Sequence, residues 1–181
     1  DRAAVDGNDQ VRPWRREADL EHVAMIAPGM QHRPSAPVAM GIDEIVDRLV
    51  LPLVEEAVPE CRTALDALLA LPEISGPGGY AGGVIAIGLR LALVEPRIAA
   101  ALLFAGTFVP RVMFEEARQI TIPLQVLLQW DDQGNDRQLA LDLFDAFGSK
   151  EKTLHANLGG HTGVPQFAGD AAARFFTRHL S

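Results

Sequence analysis

The sequence predicts an α/β fold, a mainly parallel sheet with helices on both faces. Three observations predict it. From about residue 75 onward, apolar runs of strand length take turns with amphipathic stretches of helix length in β-α order, the pattern of crossover-connected parallel strands. Ile98 to Phe104 and Pro123 to Gln129 are nearly continuous apolar runs, as expected of strands covered on both sides. Chemically able residues cluster just past the ends of these runs, where open parallel sheets hold their ligands.

Arg2 to Gly7 reads as the tail of a strand ending at a glycine turn. Residues 8–41 show no sustained periodicity and carry four prolines, with Trp14, Met25, Met30 and Met40 between them; a short helix is expected near Ala18 to Ala27, and the stretch as a whole is expected to serve as a lid. Ile42 to Leu71 is predicted helical, with Ile45, Leu49 and Leu53 on one face, Leu65, Leu68 and Leu69 on another, and a kink or break at Pro52 and Pro59. After a glycine-rich turn, Gly83 to Val94 reads as a buried helix stopped by Pro96. A short helix is expected within Thr107 to Arg118. Asn135 to Phe147 is amphipathic, with Leu139, Leu143 and Phe147 inward and Gly148 as its stop. Thr153 to Ala156 is a strand, and Pro165 opens a last helix with Phe167, Ala171, Phe175 and Phe176 inward.

With 181 residues, 48% of them hydrophobic, the chain is read as one domain over 1–181. Its net charge of −8 and pI near 5.0 argue against nucleic acid and anionic membrane surfaces as partners. Cys61 is the single cysteine, so no disulfide forms within the chain. No apolar stretch is long enough to span a bilayer and no signal peptide is evident, so a cytoplasmic location is expected. The chain begins at Asp1, and an upstream segment holding the first strands is expected to be missing.

The chemistry starts at Gly79-Tyr80-Ala81-Gly82-Gly83. This has the form of G-x-S-x-G, the strand-to-helix turn that presents a nucleophilic serine, with alanine where the hydroxyl belongs. Alanine cannot form an acyl intermediate. Two other readings stand beside it: a plain glycine turn, and a dinucleotide loop, since Gly76 to Ala81 also fits G-x-G-x-x-A and Glu95 lies about 20 positions on. The residues downstream favour the first. Asp132 lies past one strand and His161 past the next, so Ala81, Asp132 and His161 succeed one another as nucleophile position, acid and base. His161 would take and return the nucleophile's proton; Asp132 would hold the imidazole, with Asp131 as its rival and Asp136 at the start of the next helix. Gly82 would donate one oxyanion N–H. The second donor normally comes from an earlier loop, which this chain does not carry. No metal site is predicted, because His161, Asp131 and Asp132 have no convincing further ligand. Trp14, Tyr80, Phe108 and Met113, with Phe114 nearby, are taken as candidates for an apolar substrate pocket.

The stretches Val94 to Ala101, Leu128-Gln129-Trp130-Asp131-Asp132, Phe147 to Lys152 and Gly159-Gly160-His161-Thr162-Gly163-Val164-Pro165 resemble bacterial dienelactone-hydrolase-like α/β-hydrolases. The resemblance implies the α/β-hydrolase fold and hydrolysis of an ester, lactone or thioester without cofactor; the apolar candidates above suggest a small apolar substrate, and a homo-oligomer is a further expectation. It matches Ala81 to the serine, Asp132 to the acid and His161 to the base. A Ser→Ala replacement would account for an otherwise intact site. The alternative is a natural non-hydrolytic member of the fold, binding a ligand or acting as an isomerase or cyclase through His161 and Asp132. Ala81 is expected at a tight, strained turn facing His161.

Overall fold

The computed structural model describes residues 24–26 and 42–181. In chain order the elements are β1 (Ala24–Ile26), α1 (Ile42–Leu69), β2 (Gly78–Gly82), α2 (Ile85–Val94), β3 (Ile98–Phe104), α3 (Val112–Ala117), β4 (Leu124–Gln129), α4 (Arg137–Ala146), β5 (Lys152–Asn157) and α5 (Gln166–Leu180). The strands form one parallel sheet in the order β1-β2-β3-β4-β5. With each strand beside its predecessor, crossovers of one hand place the intervening helices on one face. Accordingly α1 packs on α2, α2 on α3 and α3 on α4, while α5 packs on β2 and β3.

Two apolar clusters mark the two faces. The larger joins Val54, Val58, Cys61 and Leu65 of α1 to Tyr80, Ala101, Leu103, Leu124 and Val126 of the sheet, together with Ile85, Leu89 and Leu91 of α2. The smaller joins Ala100 to Phe175 and Leu180, with Phe176 against them. β2 is thin enough to sit between both. A Cβ at Gly79 would stand 2.7 Å from the Phe176 ring, so glycine lets α5 approach on that side. On the other side the Tyr80 ring occupies the space that side chains at Gly82 and Gly88 would need.

Several expectations change. The helix expected near Ala18 to Ala27 gives way at Ala24–Ile26 to a strand, β1, on the edge of β2; the rest of that stretch, the expected lid and Trp14 included, lies outside the described residues. β2 is the glycine run itself, which also removes the dinucleotide reading, since that loop needs a strand before its first glycine. α1 runs unbroken for 28 residues through Pro52 and Pro59. Both prolines are exposed, as are Arg48 and Glu55, whose carbonyls lose an i→i−4 partner and face water instead. The buried stripe of α1 is Val46, Val54, Val58, Cys61 and Leu65, while Leu49 is exposed. Apolar residues on several sides of that helix concealed which side faces inward. On α4 and α5, Leu143, Phe147 and Phe175 are buried as expected, whereas Leu139 and Phe167 are exposed.

Tyr80 illustrates the core's one poorly matched group on this face. It is fully buried, and its hydroxyl has no hydrogen-bond partner. Burial pushes its acidity well below that of a free phenol. An unpaired buried hydroxyl costs more than it contributes, so Tyr80→Phe is expected to raise unfolding free energy by about 1 kcal/mol, read as a higher urea midpoint at unchanged slope. A drop in the midpoint would mean that the hydroxyl has a partner.

Candidate active site

The carboxyl ends of β2, β3, β4 and β5 open onto the loops that carry the candidate residues. Asp131 and Asp132 follow β4 and His161 follows β5. β4 and β5 stay paired to their ends, Gln129 opposite Asn157, and the Trp130 N–H donates to the Asn157 carbonyl at 2.7 Å, so the two loops leave the sheet side by side.

His161 Nδ1 and Asp132 Oδ2 lie 2.8 Å apart. The Asp132 side chain is only 5% exposed and that of His161 is 76% exposed, so a sheltered carboxylate holds an exposed ring. Asp132 Oδ1 accepts the Gly134 N–H at 2.9 Å, and Oδ2 also accepts the Asn135 side-chain amide. These donors, the His161 ring first, hold the Asp132 carboxyl below the usual carboxylate range. Such a pair can orient an imidazole in one tautomer and stabilise it once protonated.

Asp131 does something different. Its Oδ1 accepts the backbone N–H groups of Gly159 and Gly160, both at 2.9 Å. Those two N–H donors, Gly160 first, keep its carboxyl ionised to lower pH than usual. Gly159 and Gly160 have φ of 141° and 62°, which favour glycine, and Gly159 packs backbone to backbone on Gly163. Gln129 Nε2 donates to the Gly160 carbonyl at 2.8 Å. The two glycines before His161 are thus pinned, with His161 in the tight bend they form. Asp131→Ala should release this bend. Amide exchange at Gly159 and Gly160 is expected to speed up by about 10- to 100-fold relative to the parent, the range for a lost bond to a charged acceptor. Unchanged exchange there would leave the bend to the glycines and Gln129 alone.

The expected turn lies further along the chain. Ala81 is in the β2 ladder, level with Ile26 and Leu102, and is no turn residue. The turn falls at Gly83 and Val84, and α2 begins at Ile85. Neither Gly82 nor Gly83 has a left-handed φ. A side chain on Gly82 would run into the Tyr80 hydroxyl, whereas a Cβ on Gly83 meets nothing within 4 Å. The open place at the strand-to-helix turn is therefore Gly83, two residues past the alanine.

The loop after β3 reaches the Asp132–His161 pair through Asn135. The position a Cβ would take on Gly106 is 3.8 Å from both Ile85 Cγ2, at the start of α2, and Asn135 Oδ1. Thr107 donates to Asn135 Oδ1 through its backbone N–H at 3.2 Å and its hydroxyl at 3.3 Å. Asn135, Thr107 and Gln129 were not among the residues the sequence singled out. The D-x-x-N spacing from Asp132 to Asn135 was the available signal, because a short amide three residues on can fold back onto the carboxylate.

Of the pocket candidates, Tyr80 and Met113 are fully buried in the core and offer no surface to a substrate; apolar character alone did not distinguish packing from binding. Phe108 is exposed, next to Thr107. Trp130, Leu158, Val164 and Phe167 are also exposed on the loops or first turns beyond β4 and β5. The Arg137 guanidinium lies 4.2 Å over the Trp130 ring. Glu95, the acid of the dinucleotide reading, is buried against Arg62 and Arg97. Among the described residues no group of three or more His, Cys, Asp or Glu is placed to hold a metal, and no helix is long and apolar enough to cross a membrane.

The architecture and the order of its loops define an α/β-hydrolase fold, and solved structures agree. A cold-adapted esterase from an Arctic intertidal metagenomic library, in zinc-bound form, is 32% identical with a TM-score of 0.61, over 68% of this chain and 58% of that one. Its native form matches at 31% identity and the same TM-score, over 70% of this chain and 60% of that one. An esterase of Pyrococcus furiosus, 11% identical, shares the fold with a TM-score of 0.61 over 70% of this chain and 63% of that one. The chain thus spans somewhat under two thirds of the length of these esterases. No protein-family model and no curated protein matches it.

Proposed function

We propose that this chain is built for serine-type hydrolysis of a small apolar carboxylic ester, lactone or thioester, in the manner of dienelactone-hydrolase-like enzymes, and that it lacks the hydroxyl to perform it. One observation carries the reading: a sheltered carboxylate, Asp132, holds an exposed histidine, His161, on neighbouring loops past β4 and β5. The likeness to esterases supports ester substrates. In this reading His161 is the base, Asp132 orients it, and the β2–α2 turn is where the nucleophile belongs. Backbone N–H groups at that turn would receive the oxyanion. The exposed Phe108 and Trp130 would face the apolar part of the substrate.

The catalytic cycle requires a hydroxyl at the turn. Its oxygen would attack the carbonyl as His161 Nε2 takes its proton. His161 would then return that proton to the leaving oxygen or sulfur, and water would cleave the acyl group by the same route. The test is to supply the hydroxyl. Gly83→Ser and Ala81→Ser, prepared separately, are assayed on short p-nitrophenyl esters, lactones and thioesters. Silence of both variants on all three classes would overturn hydrolysis and favour a ligand-binding or non-hydrolytic protein that uses the same His161–Asp132 pair.

A further inference from the structure

The Asn135 side chain has a fixed orientation. Its oxygen faces two donors, the Thr107 N–H and hydroxyl, and its nitrogen faces the Asp132 carboxylate. The reverse orientation would set an oxygen against the carboxylate and an NH₂ against an N–H, so a flip loses the bonds to the Asp132 carboxylate and the Thr107 N–H. It donates to Oδ2, the same oxygen that meets the His161 ring, while Gly134 takes Oδ1. Asp132 is thereby fixed by three donors from three directions. The loop after β3, which carries the exposed Phe108, connects to the histidine through one amide.

We propose that Asn135 is a positioning residue: it holds the Asp132 carboxylate in the rotamer that locks the His161 tautomer, and it couples that rotamer to the Thr107–Phe108 loop. The inference rests on reading His161 and Asp132 as the acid–base pair. Asp131 is the other charge near this ring's loop, and it is engaged by the Gly159 and Gly160 N–H groups. Asp136 caps α4 by accepting from Gln138 and Leu139 N–H, so neither carboxylate substitutes for Asp132.

The test separates positioning from mere packing and does not need activity. Asn135→Leu keeps the approximate volume and removes the donor to Asp132 without adding charge. In the ¹⁵N-labelled chain at neutral pH, long-range ¹H–¹⁵N spectra report the His161 tautomer. The parent is expected to hold the ring with its proton on Nδ1. In Asn135→Leu the ratio of Nδ1–H to Nε2–H tautomer should fall by about fivefold or more, the worth of one charge-assisted hydrogen bond. Asn135→Ala is read the same way and should also lower the ratio, so a folding failure in one variant leaves the other decisive. Thr107→Val, which keeps the backbone donor, should lower it less than either. An unchanged ratio in a folded Asn135→Leu or Asn135→Ala chain overturns the proposal. Failure of the serine variants to hydrolyse anything would overturn the functional reading but leave this tautomer result standing.

Discussion

Gly83→Ser is expected to hydrolyse esters faster than the parent chain, and Gly83→Ser with His161→Ala is expected to lose most of that gain. The direction rests on two geometric facts. The space before Gly83 is open, while a side chain at Gly82 meets the Tyr80 hydroxyl and Ala81 is tied into the ladder between β1 and β3. The base and its acid are already paired at 2.8 Å. The size reflects what a nucleophile and its base contribute together. Losing either commonly costs on the order of 10⁴ to 10⁶ in rate, and a serine placed in an unrefined turn should recover a part of that, about 10² to 10⁴ over the parent. Because the two groups act as a unit, His161→Ala in the serine background should remove nearly the whole gain, and Asp132→Asn should remove much of it. The assay is kcat/KM on p-nitrophenyl acetate and butyrate. If Ala81→Ser is active and Gly83→Ser is not, the hydrolase reading survives but the turn in the working enzyme lies where the G-x-S-x-G pattern puts it. If Gly83→Ser is active and His161→Ala leaves it so, His161 is not the base.

The sequence showed the parallel sheet because its buried strands read as apolar runs. Ile98 to Phe104 is β3 to the residue, and β4 and β5 differ from expectation only at their ends. It pointed to the Asp132–His161 pairing because both residues follow neighbouring strand runs, and the two lie 2.8 Å apart. It did not resolve the β2 turn. A run of glycines satisfies a nucleophile elbow, a phosphate loop and a strand squeezed between two helices alike, and only the partners decide: Phe176 against Gly79, and the Tyr80 ring against Gly82 and Gly88. Nor did it separate the paired aspartates. Asp131 and Asp132 are chemically identical in sequence, and the difference between them, loop backbone for one and imidazole for the other, arises from the way the chain bends after Trp130. Aromatic and methionine residues misled for the opposite reason. Tyr80 and Met113 are apolar enough to line a pocket and are consumed by the core.

The stretch Val94 to Ala101, which carried much of the family resemblance, has a structural role. Glu95 ends α2, and its side chain is 1% exposed. One oxygen accepts from Arg97 Nε at 2.7 Å and the Arg97 backbone N–H at 3.1 Å; the other accepts from Arg97 Nη2 at 2.8 Å and from Arg62 Nε, on α1, at 3.0 Å. The carboxylate therefore ties the longest helix to the turn between α2 and β3. Removing the carboxylate frees two partly exposed arginines and unties α1 from the turn, so Glu95→Ala should cost about 2–3 kcal/mol and Glu95→Gln, which keeps the shape, about 2 kcal/mol. The pH dependence has a definite sign. The Arg97 side-chain bonds first, then its N–H and Arg62, draw the Glu95 carboxyl from 4.5 down to about 2 against the opposing effect of burial. Its folded acidity is the stronger, so its contribution is complete above pH 4.5 and is lost as pH falls toward 2, where the unfolded chain takes up the proton first. Water reaches the group through Arg62, 51% exposed, and Arg97, 36% exposed, so the pH-dependent part is reduced by screening to about 2 kcal/mol. Urea unfolding of the parent and Glu95→Gln at pH 7 and at pH 3 measures it. The gap between the two should be wide at pH 7 and clearly narrower at pH 3. A gap that does not change with pH would mean that Glu95 holds α1 by shape and neutral hydrogen bonds, with its charge contributing nothing.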